Sequence, residues 1–459
     1  MNRLLALAAS ALAVSGALTC APAMAQNVAI TGATVAMGDG SEPVENATVV
    51  VQDGRVVAAG AGVAVPAGVP VLDGSGMWVT PGLFASLTSL GLVDVSAVSQ
   101  SNDIEADDSP FGAALDVAPA INPMAQDFGY SRAGGVTRAS VTPEAGASIF
   151  GGQGAIVDLG ADFDAVRHPR AFQVVEMGER GARLAGGSRT SAHALLRNAL
   201  HEAGSFGDAA QLRSGGSAGG GNTVVGQDSR MPGNTDRSGD VLLTRFDAAA
   251  LVPVVRGEQK LYVRVERASD ILAMLALREE FPALDMVLVG ATEGWVVAEQ
   301  IAAADVPVIA VALRDLPVSF EQLAATQSNV GRMVDAGVRV AIGGYDSSGD
   351  HPRNLPQQAG NMVALNRVPG ATGLTWGEAF AAISSVPAEV AGLGGRVGVL
   401  AQGAHGDLVV WDGDPLETSS APILVFVDGV EQPLTNHQTR LRDRYRSLDE
   451  SERPRAYEW

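Results

Sequence analysis

The repeat that decides the fold lies in residues 284–311, which read LDMVLVGATEGWVVAEQIAAADVPVIAV. Residues 284–289 form a short apolar run, residues 295–303 an amphipathic stretch, and residues 306–311 a second apolar run. The pattern recurs downstream, where a helical stretch over residues 329–336 precedes the apolar run of residues 338–342. Short strands that alternate with helices predict βα units and therefore a parallel sheet.

The segments on either side of this repeat predict a second, β-rich domain. Residues 82–392 have the length of a (β/α)8 barrel with insertions. Before them, residues 48–51 and 56–59 flank Asp53-Gly54, a pair typical of a β-hairpin turn. After them, strand patterns return at residues 407–411 and 423–427. Because strands occur at both chain ends, we predict that the two ends form one composite β domain.

The predicted architecture is an α/β fold, with a (β/α)8 TIM-like barrel and a small composite β-sandwich domain built from both chain ends. The predicted order is a signal peptide (1–25), the first part of the β-sandwich (26–80), the barrel (81–395), the second part of the β-sandwich (396–435) and a charged tail (436–459). Within the barrel, residues 205–240 are rich in Gly, Ser and Asn. This composition predicts a flexible surface insertion.

The first 25 residues have the pattern of a secretory signal peptide. Arg3 supplies a positive charge, residues 4–18 are apolar, and Ala23-Met24-Ala25 fits the small-residue cleavage rule. We therefore expect cleavage between Ala25 and Gln26, which also removes Cys20. The apolar run is shorter than the ~20 residues of a membrane span. The prediction is an exported, periplasmic protein with no membrane span after cleavage.

The composition restricts the partners and the chemistry. The chain has 31 basic and 51 acidic residues, a net charge of −20, which argues against nucleic acid or an anionic membrane as a partner. A single Cys excludes a disulfide framework and a Cys-type zinc fold. With six His and one Lys, any metal site would draw on few nitrogen ligands.

Seven short segments occur in a recognisable order along the chain. They are residues 54–60 (GRVVAAG), 79–83 (VTPGL), 149–154 (IFGGQG), 256–258 (RGE), 267–271 (RASDI), 396–398 (RVG) and 406–412 (GDLVVWD). Together they resemble the metal-dependent amidohydrolase superfamily, and are most similar to its exported imidazolonepropionase-like branch. The resemblance extends from about residue 27 to about residue 446. It implies a TIM barrel and the hydrolysis of non-peptide C–N bonds in amides or cyclic amides.

The resemblance also implies where the metal ligands of the family would stand. In chain order, these positions match Leu87, Ser89, Arg264 or Glu266, Gly290 and Tyr345, with Asp346 one residue further on. A catalytic divalent metal needs several N or O ligands at about 2 Å. Leu87 offers no donor atom, Gly290 has no side chain, and Arg264 is a cation. We therefore expect no metal cofactor, although the family uses one.

Two interpretations of the function follow. The first is a metal-free homologue with a binding or structural role, forming a homo-oligomer or pairing with a catalytically intact relative. The second is a hydrolase of amide or cyclic amide C–N bonds that uses a rearranged site. Its candidate catalytic residues are Glu266, Tyr345, Asp346 and His351.

Three further residues are candidates for contact with a small-molecule ligand: Arg264, Arg267 and Glu293. Arg264 and Glu266 lie two residues apart on one strand, so both side chains are expected to face the barrel interior. They could form a buried ion pair in the space of the metal, or contact a charged ligand. Glu293 opens a predicted helix, where a carboxylate commonly serves as a cap.

Overall fold

A computed structural model describes residues 25–95, 98–214, 242–343 and 351–447, without the side chains of residues 208–214. The strands are β1 (Val28–Val35), β2 (Val44–Gln52), β3 (Arg55–Ala61), β4 (Val71–Asp73), β5 (Trp78–Pro81), β6 (Leu83–Thr88), β7 (Val136–Val141), β8 (Phe150–Asp158), β9 (Val166–Glu176), β10 (Lys260–Val265), β11 (Met286–Gly290), β12 (Val308–Ala310), β13 (Val340–Ile342), β14 (Leu408–Trp411), β15 (Pro422–Val427) and β16 (Val430–Glu431).

The helices all follow β6 in the chain. They are α1 (Gln126–Ala133), α2 (Gly178–Leu184), α3 (Arg189–Ser214), α4 (Arg245–Val255), α5 (Ala268–Glu280), α6 (Ala298–Ala303), α7 (Asn329–Asp335), α8 (Leu355–Ala364), α9 (Trp376–Ala381), α10 (Ser385–Val390) and α11 (His437–Tyr445). The described strands assemble into two sheets of eight strands each.

The first sheet joins the two ends of the chain, as the sequence predicts. Its order is β16-β15-β14-β5-β1-β2-β3, with β4 paired to β1. Strands β2 and β3 form the predicted hairpin. Asp53 and Gly54 connect them with φ angles of +49° and +73°. A tight hairpin turn of this kind needs positive φ at both central residues, which Asp-Gly tolerates.

The second sheet forms the barrel, in the order β13-β12-β11-β10-β9-β8-β7-β6. Strands β9 to β13 run parallel to one another, and β6 runs parallel to β7. The backbone of residues 382 and 383 bridges the two edge strands, since Ile342 donates to Ala382 and Phe84 donates to Ile383. The barrel expected from the βα repeat is therefore confirmed.

One strand departs from the all-parallel expectation. Strand β8 pairs antiparallel with both β7 and β9. A parallel connection needs a crossover of a dozen or more residues, whereas only residues 142–149 separate β7 from β8. The chain therefore reverses directly into β8 without an intervening helix.

The interior of the barrel is filled by apolar side chains. Phe84, Phe172 and Tyr262 belong to one buried cluster. The rings of Phe172 and Tyr262 stack with their centroids 4.1 Å apart. The larger apolar cluster lies between the strands and the surrounding helices. The barrel is thus a packed core, and access is limited to its ends.

A buried group of charges joins the barrel to the first sheet. We call Arg138, Asp158, His405, Asp407 and Asp428 the junction cluster. Arg138 Nε donates to Asp407 at 2.7 Å, and its Nη2 lies 2.7 Å from Asp428 Oδ1. Asp428 also bonds to the His405 ring, and its backbone N–H donates to Asp407. Charged side chains from the two domains therefore pair with one another at this junction.

The predicted insertion and the predicted signal peptide are only partly covered by the described residues. The helix α3 extends to Ser214, so the predicted insertion at 205–240 begins within a helix. Ala, Gln, Leu and Arg at 209–213 favour a helix. The rest of that insertion and almost all of the predicted signal peptide lie outside the described residues. Within the described ranges, no helix has the length and apolarity of a membrane span.

Candidate ligand pocket at the barrel mouth

A pocket of about 140 Å³ lies at the carboxyl ends of the barrel strands. The residues that line it come from β6, β9, β10, β11, the loop that follows β12 and the end of β13. They are Leu87, Glu176, Met177, Arg264, Val265, Glu266, Val289, Gly290, Val311, Arg314, Glu321, Gln322 and Gly343. In barrel proteins this end of the strands carries the functional site.

Three of the positions matched to the metal ligands of the family meet in this pocket. Leu87, Gly290 and both alternatives for the remaining position, Arg264 and Glu266, line it from three different strand ends. Ser89, another matched position, does not line the pocket. Tyr345 and Asp346 lie outside the described residues. The strand register inferred from the sequence is consistent with this convergence.

Leu87 turns the first of these positions into part of the apolar core. Its side chain is buried and belongs to the same cluster as Phe84 and Tyr262. Its backbone φ is +57°, in the left-handed region that side chains other than Gly rarely adopt. The Leu87 N–H donates to Ser140 Oγ at 2.8 Å, which helps hold this turn. Leu87 therefore presents hydrocarbon where a ligand to a metal would stand.

Gly290 leaves room that the carboxylate of Glu266 fills. Gly290 has a φ of +89°, and a Cβ built there would lie 2.9 Å from Glu266 Oε2 and closer still to Oε1. The Thr292 N–H and hydroxyl both donate to the same carboxylate, the former at 3.0 Å. Burial raises the pKa of Glu266 above its ordinary value. The carboxylate is thus held where any side chain at 290 would project.

Arg264 faces a carboxylate that the sequence did not suggest. Its Nε lies 3.9 Å from Glu176 Oε2, so Glu176 rather than Glu266 is the ion-pair partner given by the geometry. That distance exceeds a hydrogen bond. Arg264 Nε is buried and makes no hydrogen bond to the described residues. Of the two alternatives for Arg264, an ion pair with Glu266 is not among the described contacts, and Thr292 donates to the Glu266 carboxylate.

Glu176 has an unusual acidity for a glutamate. Burial raises its pKa to about 7, an effect that the nearby Arg264 and Arg180 guanidinium groups partly oppose. A carboxyl group with such a pKa can hold or release a proton near neutral pH. Glu176, Arg264, Glu266, Arg314 and Glu321 together form what we call the mouth cluster.

Glu321 closes the outer side of the pocket. Its carboxylate accepts from the Glu179 N–H at 2.7 Å and from Arg189 Nη2 at 3.0 Å. Burial also raises the pKa of Glu321. The loop after β12 thus places one carboxylate on the start of α2 and a guanidinium, Arg314, toward the pocket.

The other predicted site residues lie away from the pocket lining. Arg267 is exposed at the start of α5. Glu293 accepts from the Ala268 and Ala324 N–H groups, each at 3.0 Å, so it holds two loops together. His351 Nδ1 lies 3.2 Å from the hydroxyl of Tyr130 on α1. His351 therefore contacts helix α1 and does not line the pocket.

The pocket residues do not fit a divalent metal ion. Leu87 and Gly290 supply no donor atoms, and Arg264 is positively charged. Among the residues that the structure describes, no three His, Cys, Asp or Glu side chains have an arrangement that could hold a metal. Lys260 pairs with Asp285 at the start of β10, opposite the mouth. It is thus distant from the position of a bridging ligand.

Sequence reasoning missed Glu176, Arg314 and Glu321. Glu176 carried a readable signal, since it ends the buried run Phe172–Val175 at the same edge of the sheet as Arg264. Arg314 and Glu321 lie in an irregular loop. Glu321 reaches α2 across 142 residues of sequence, a contact that no local pattern indicates.

Comparison with known proteins agrees with this architecture. The model of the amidohydrolase family matches residues 275–435. A crystal structure of an amidohydrolase from Thermotoga maritima superposes with a TM-score of 0.74 at 21% identity, over 88% of this chain and 99% of that one. This likeness establishes the fold.

Two other matches are more limited. A triazine hydrolase variant superposes with a TM-score of 0.51 at 16% identity, over 91% of this chain and 98% of that one. Among curated proteins, the amidohydrolase tasK of Hapsidospora irregularis is 42% identical over 60 residues. That match spans 13% of this chain and 6% of the length of the relative.

Proposed function

We propose that this chain is an exported, metal-free amidohydrolase homologue that binds a small molecule at the barrel mouth. The family supplies the barrel, and the mouth cluster supplies a polar pocket where the family holds its metal. A barrel can carry many functions, so the pocket and not the fold decides this proposal.

The observation that carries the proposal is the position of the Glu266 carboxylate. It fills the space above Gly290, and Thr292 holds it there. Leu87 meanwhile packs into the apolar core. A metal would need donors at both positions and would have to displace a hydrogen-bonded carboxylate and a core side chain. The pocket that remains suits a polar organic ligand.

Metal analysis of the purified mature protein tests the proposal. We expect zinc, manganese and iron each far below one ion per chain, and an unfolding temperature that a chelator does not change. A structural or catalytic metal would instead contribute to stability, so its removal would lower that temperature. Near-stoichiometric metal in the purified protein would contradict the proposal.

A second candidate function rests on Glu176. A carboxyl group with a pKa near 7 in a pocket can act as a general acid or base, so hydrolysis of amide or cyclic amide C–N bonds without metal is the alternative. A panel of cyclic amides and N-acyl amino acids tests it. Hydrolysis that disappears in Glu176→Gln but persists in Glu258→Gln, an exposed control, would favour it. No turnover across the panel would contradict it.

We also propose that the chain is periplasmic after cleavage at Ala25–Gln26. The composition of residues 1–25 supports this, and Gln26 lies where its N–H donates to Gly429 of the first sheet. Fractionation of cells, with mass spectrometry of the N-terminus, is the test. A chain that keeps residues 1–25 and stays in the cytoplasm would contradict it. Oligomerisation remains a prediction that sedimentation analysis of the same sample addresses.

A further inference from the structure

A larger groove lies next to the mouth pocket and shares two of its lining residues. The groove has a volume of about 600 Å³, and Val311 and Arg314 line both spaces. One wall of the groove is the loop that follows β12, residues 311–316, and the other is helix α8. A ligand can therefore place a small end group in the inner pocket and its remaining atoms along α8.

The inner pocket contains a hydrogen-bond donor that has no acceptor among the described residues. Arg264 Nε is buried without a hydrogen bond to the described residues, and Glu176 stays 3.9 Å away. A buried guanidinium N–H without a partner is unfavourable, so its presence points to a missing acceptor. A planar carboxylate matches the guanidinium fork with two parallel hydrogen bonds. At about 140 Å³, the pocket holds a carboxylate and a few carbon atoms.

The outer groove presents carboxamides along one face of α8. Asn354, Gln357, Gln358 and Asn361 all line it, with the spacing of residues that share a helix face. Within the described part of the chain, these four side chains make no hydrogen bond to another residue. Carboxamides both donate and accept, so they suit amide or hydroxyl groups of a ligand. Leu313 and Leu316, on the facing loop, add apolar contact.

We propose, resting on the proposed function, that the ligand is a small organic acid whose carboxylate binds Arg264 and whose body carries amide or hydroxyl groups that contact α8. This assigns a chemical class of ligand to the pocket and an anchoring role to Arg264.

The carboxylates already in the pocket permit an anion to bind. Thr292 donates twice to Glu266, and the Glu179 N–H and Arg189 donate to Glu321, so both carboxylates already accept hydrogen bonds from the protein. Glu176 is the remaining carboxyl group. Burial raises its pKa to about 7, so it takes up a proton readily and can then donate to a bound carboxylate.

Calorimetric titration of the full mature chain with two matched probes tests the inference. The probes are N-acetyl-alanyl-alanine, which has a free carboxylate, and its C-terminal amide, which differs only in that group. We expect the acid to bind at least about tenfold more tightly than the amide, since the amide cannot form the charged pair with Arg264. Equal affinity, or no binding of either probe at about 10 mM, would overturn the inference.

Single substitutions test which arginine produces the preference for the acid. In Arg264→Gln, we expect the preference for the acid to disappear, whereas Arg339→Gln, at an exposed arginine that pairs with Asp305, keeps it. The double variant Gln357→Ala/Gln358→Ala should lower the affinity for both probes by the same factor. A preference that survives in a folded Arg264→Gln protein would overturn the anchoring role. If the protein is metal-free and binds neither probe, only this inference fails, whereas near-stoichiometric metal overturns the proposed function itself.

Discussion

The junction cluster and the mouth cluster are both buried groups of arginines and carboxylates, but their geometry differs. At the junction, Arg138 has 5% of its side chain exposed and lies 2.7 Å from both Asp407 and Asp428. At the mouth, Arg264 has 20% of its side chain exposed, and the nearest carboxylate oxygen, on Glu176, is 3.9 Å away. Within the described part of the chain, Arg138 has close carboxylate partners, whereas Arg264 Nε has no hydrogen-bond partner.

The difference separates a structural role from a binding role. The junction cluster joins two domains, and its satisfied partners make it part of the fold. The mouth cluster lies beside an open pocket, and Arg264 keeps hydrogen-bond capacity that the described protein does not use. Substitutions in the two clusters should therefore change the free energy of unfolding by different amounts, most at Arg138 and least at Arg264.

Arg138→Met should have the largest effect on stability. Removing this guanidinium leaves Asp407, Asp158 and Asp428 with less compensation for their buried charges. Breaking a buried ion pair by removing one partner costs about 3–5 kcal/mol. Chemical denaturation at neutral pH measures the free energy of unfolding.

A surface pair provides the control for that substitution. Arg339 pairs with Asp305 at 2.8 Å, but 47% and 87% of their side chains are exposed. Arg339→Met should cost less than about 1 kcal/mol, because water compensates exposed charges. A similar loss for Arg138→Met and Arg339→Met would contradict the structural role of the junction cluster.

The pKa of Glu176 predicts how stability depends on pH. The folded protein, with a pKa of about 7, holds this proton more tightly than the unfolded chain at 4.5. Protonation therefore stabilises the fold. This contribution is complete below about pH 4.5 and is lost as the pH rises toward 7, a change of about 3 kcal/mol. Glu176→Gln should remove that part of the pH dependence.

Unfolding measurements from about pH 4 to about pH 8 test this prediction. The advantage of Glu176→Gln over the natural chain should grow as the pH rises through the window. Glu258→Gln replaces an exposed glutamate and should leave the pH dependence unchanged. If the natural chain and Glu176→Gln show parallel pH profiles, the carboxyl group is not buried as described.

Gly290→Ala tests whether the Glu266 carboxylate fills the space of a side chain at 290. The new Cβ would displace that carboxylate from Thr292, in addition to the cost of a φ of +89°. Gly337→Ala isolates the backbone cost, because Gly337 has a φ of +87° and no atom within 4 Å of its Cβ. We expect Gly290→Ala to be less stable than Gly337→Ala by about 1–3 kcal/mol.

A third variant links that loss to Glu266. Combining Gly290→Ala with Glu266→Ala should recover much of the additional loss, since the clash disappears with the carboxylate. Equal stability of Gly290→Ala and Gly337→Ala would show that the space above Gly290 is open. Such a result would restore room for a metal ligand at this position.

Arg264→Met should have the smallest effect, despite being the same substitution as Arg138→Met. Among the residues that the structure describes, Arg264 makes no hydrogen bond through Nε, and the ion pair with Glu176 has a distance of 3.9 Å. At about pH 6, where Glu176 is mostly protonated, the free energy of unfolding should change by less than about 1 kcal/mol. A loss as large as that of Arg138→Met would mean that the mouth cluster is also structural.

The sequence indicated the barrel because the repeat in residues 284–311 encodes strand and helix by periodicity alone. It also placed Leu87, Arg264, Glu266 and Gly290 together, because the carboxyl ends of parallel strands share one edge of a sheet. The connection between β7 and β8 is too short for a parallel crossover, so the sequence also contains the information that β8 runs antiparallel to β7.

Other parts of the site depend on contacts that periodicity does not encode. Glu321 reaches α2 from an irregular loop, and Thr292 rather than Arg264 holds Glu266. Which hydrogen bonds form depends on three-dimensional distances of a few ångströms. The strand pattern fixes which side chains reach the mouth, but not which of them pair there.

The central claim is that the mouth holds a carboxylate where the family holds a metal. The most direct measurement is an anomalous difference map, at the zinc absorption edge, from crystals of the mature protein grown with excess zinc. We predict no peak at coordination distance, about 2 Å, from the carboxylates of Glu176 and Glu266, with Glu266 still bonded to Thr292. A fully occupied peak between these carboxylates would contradict the claim.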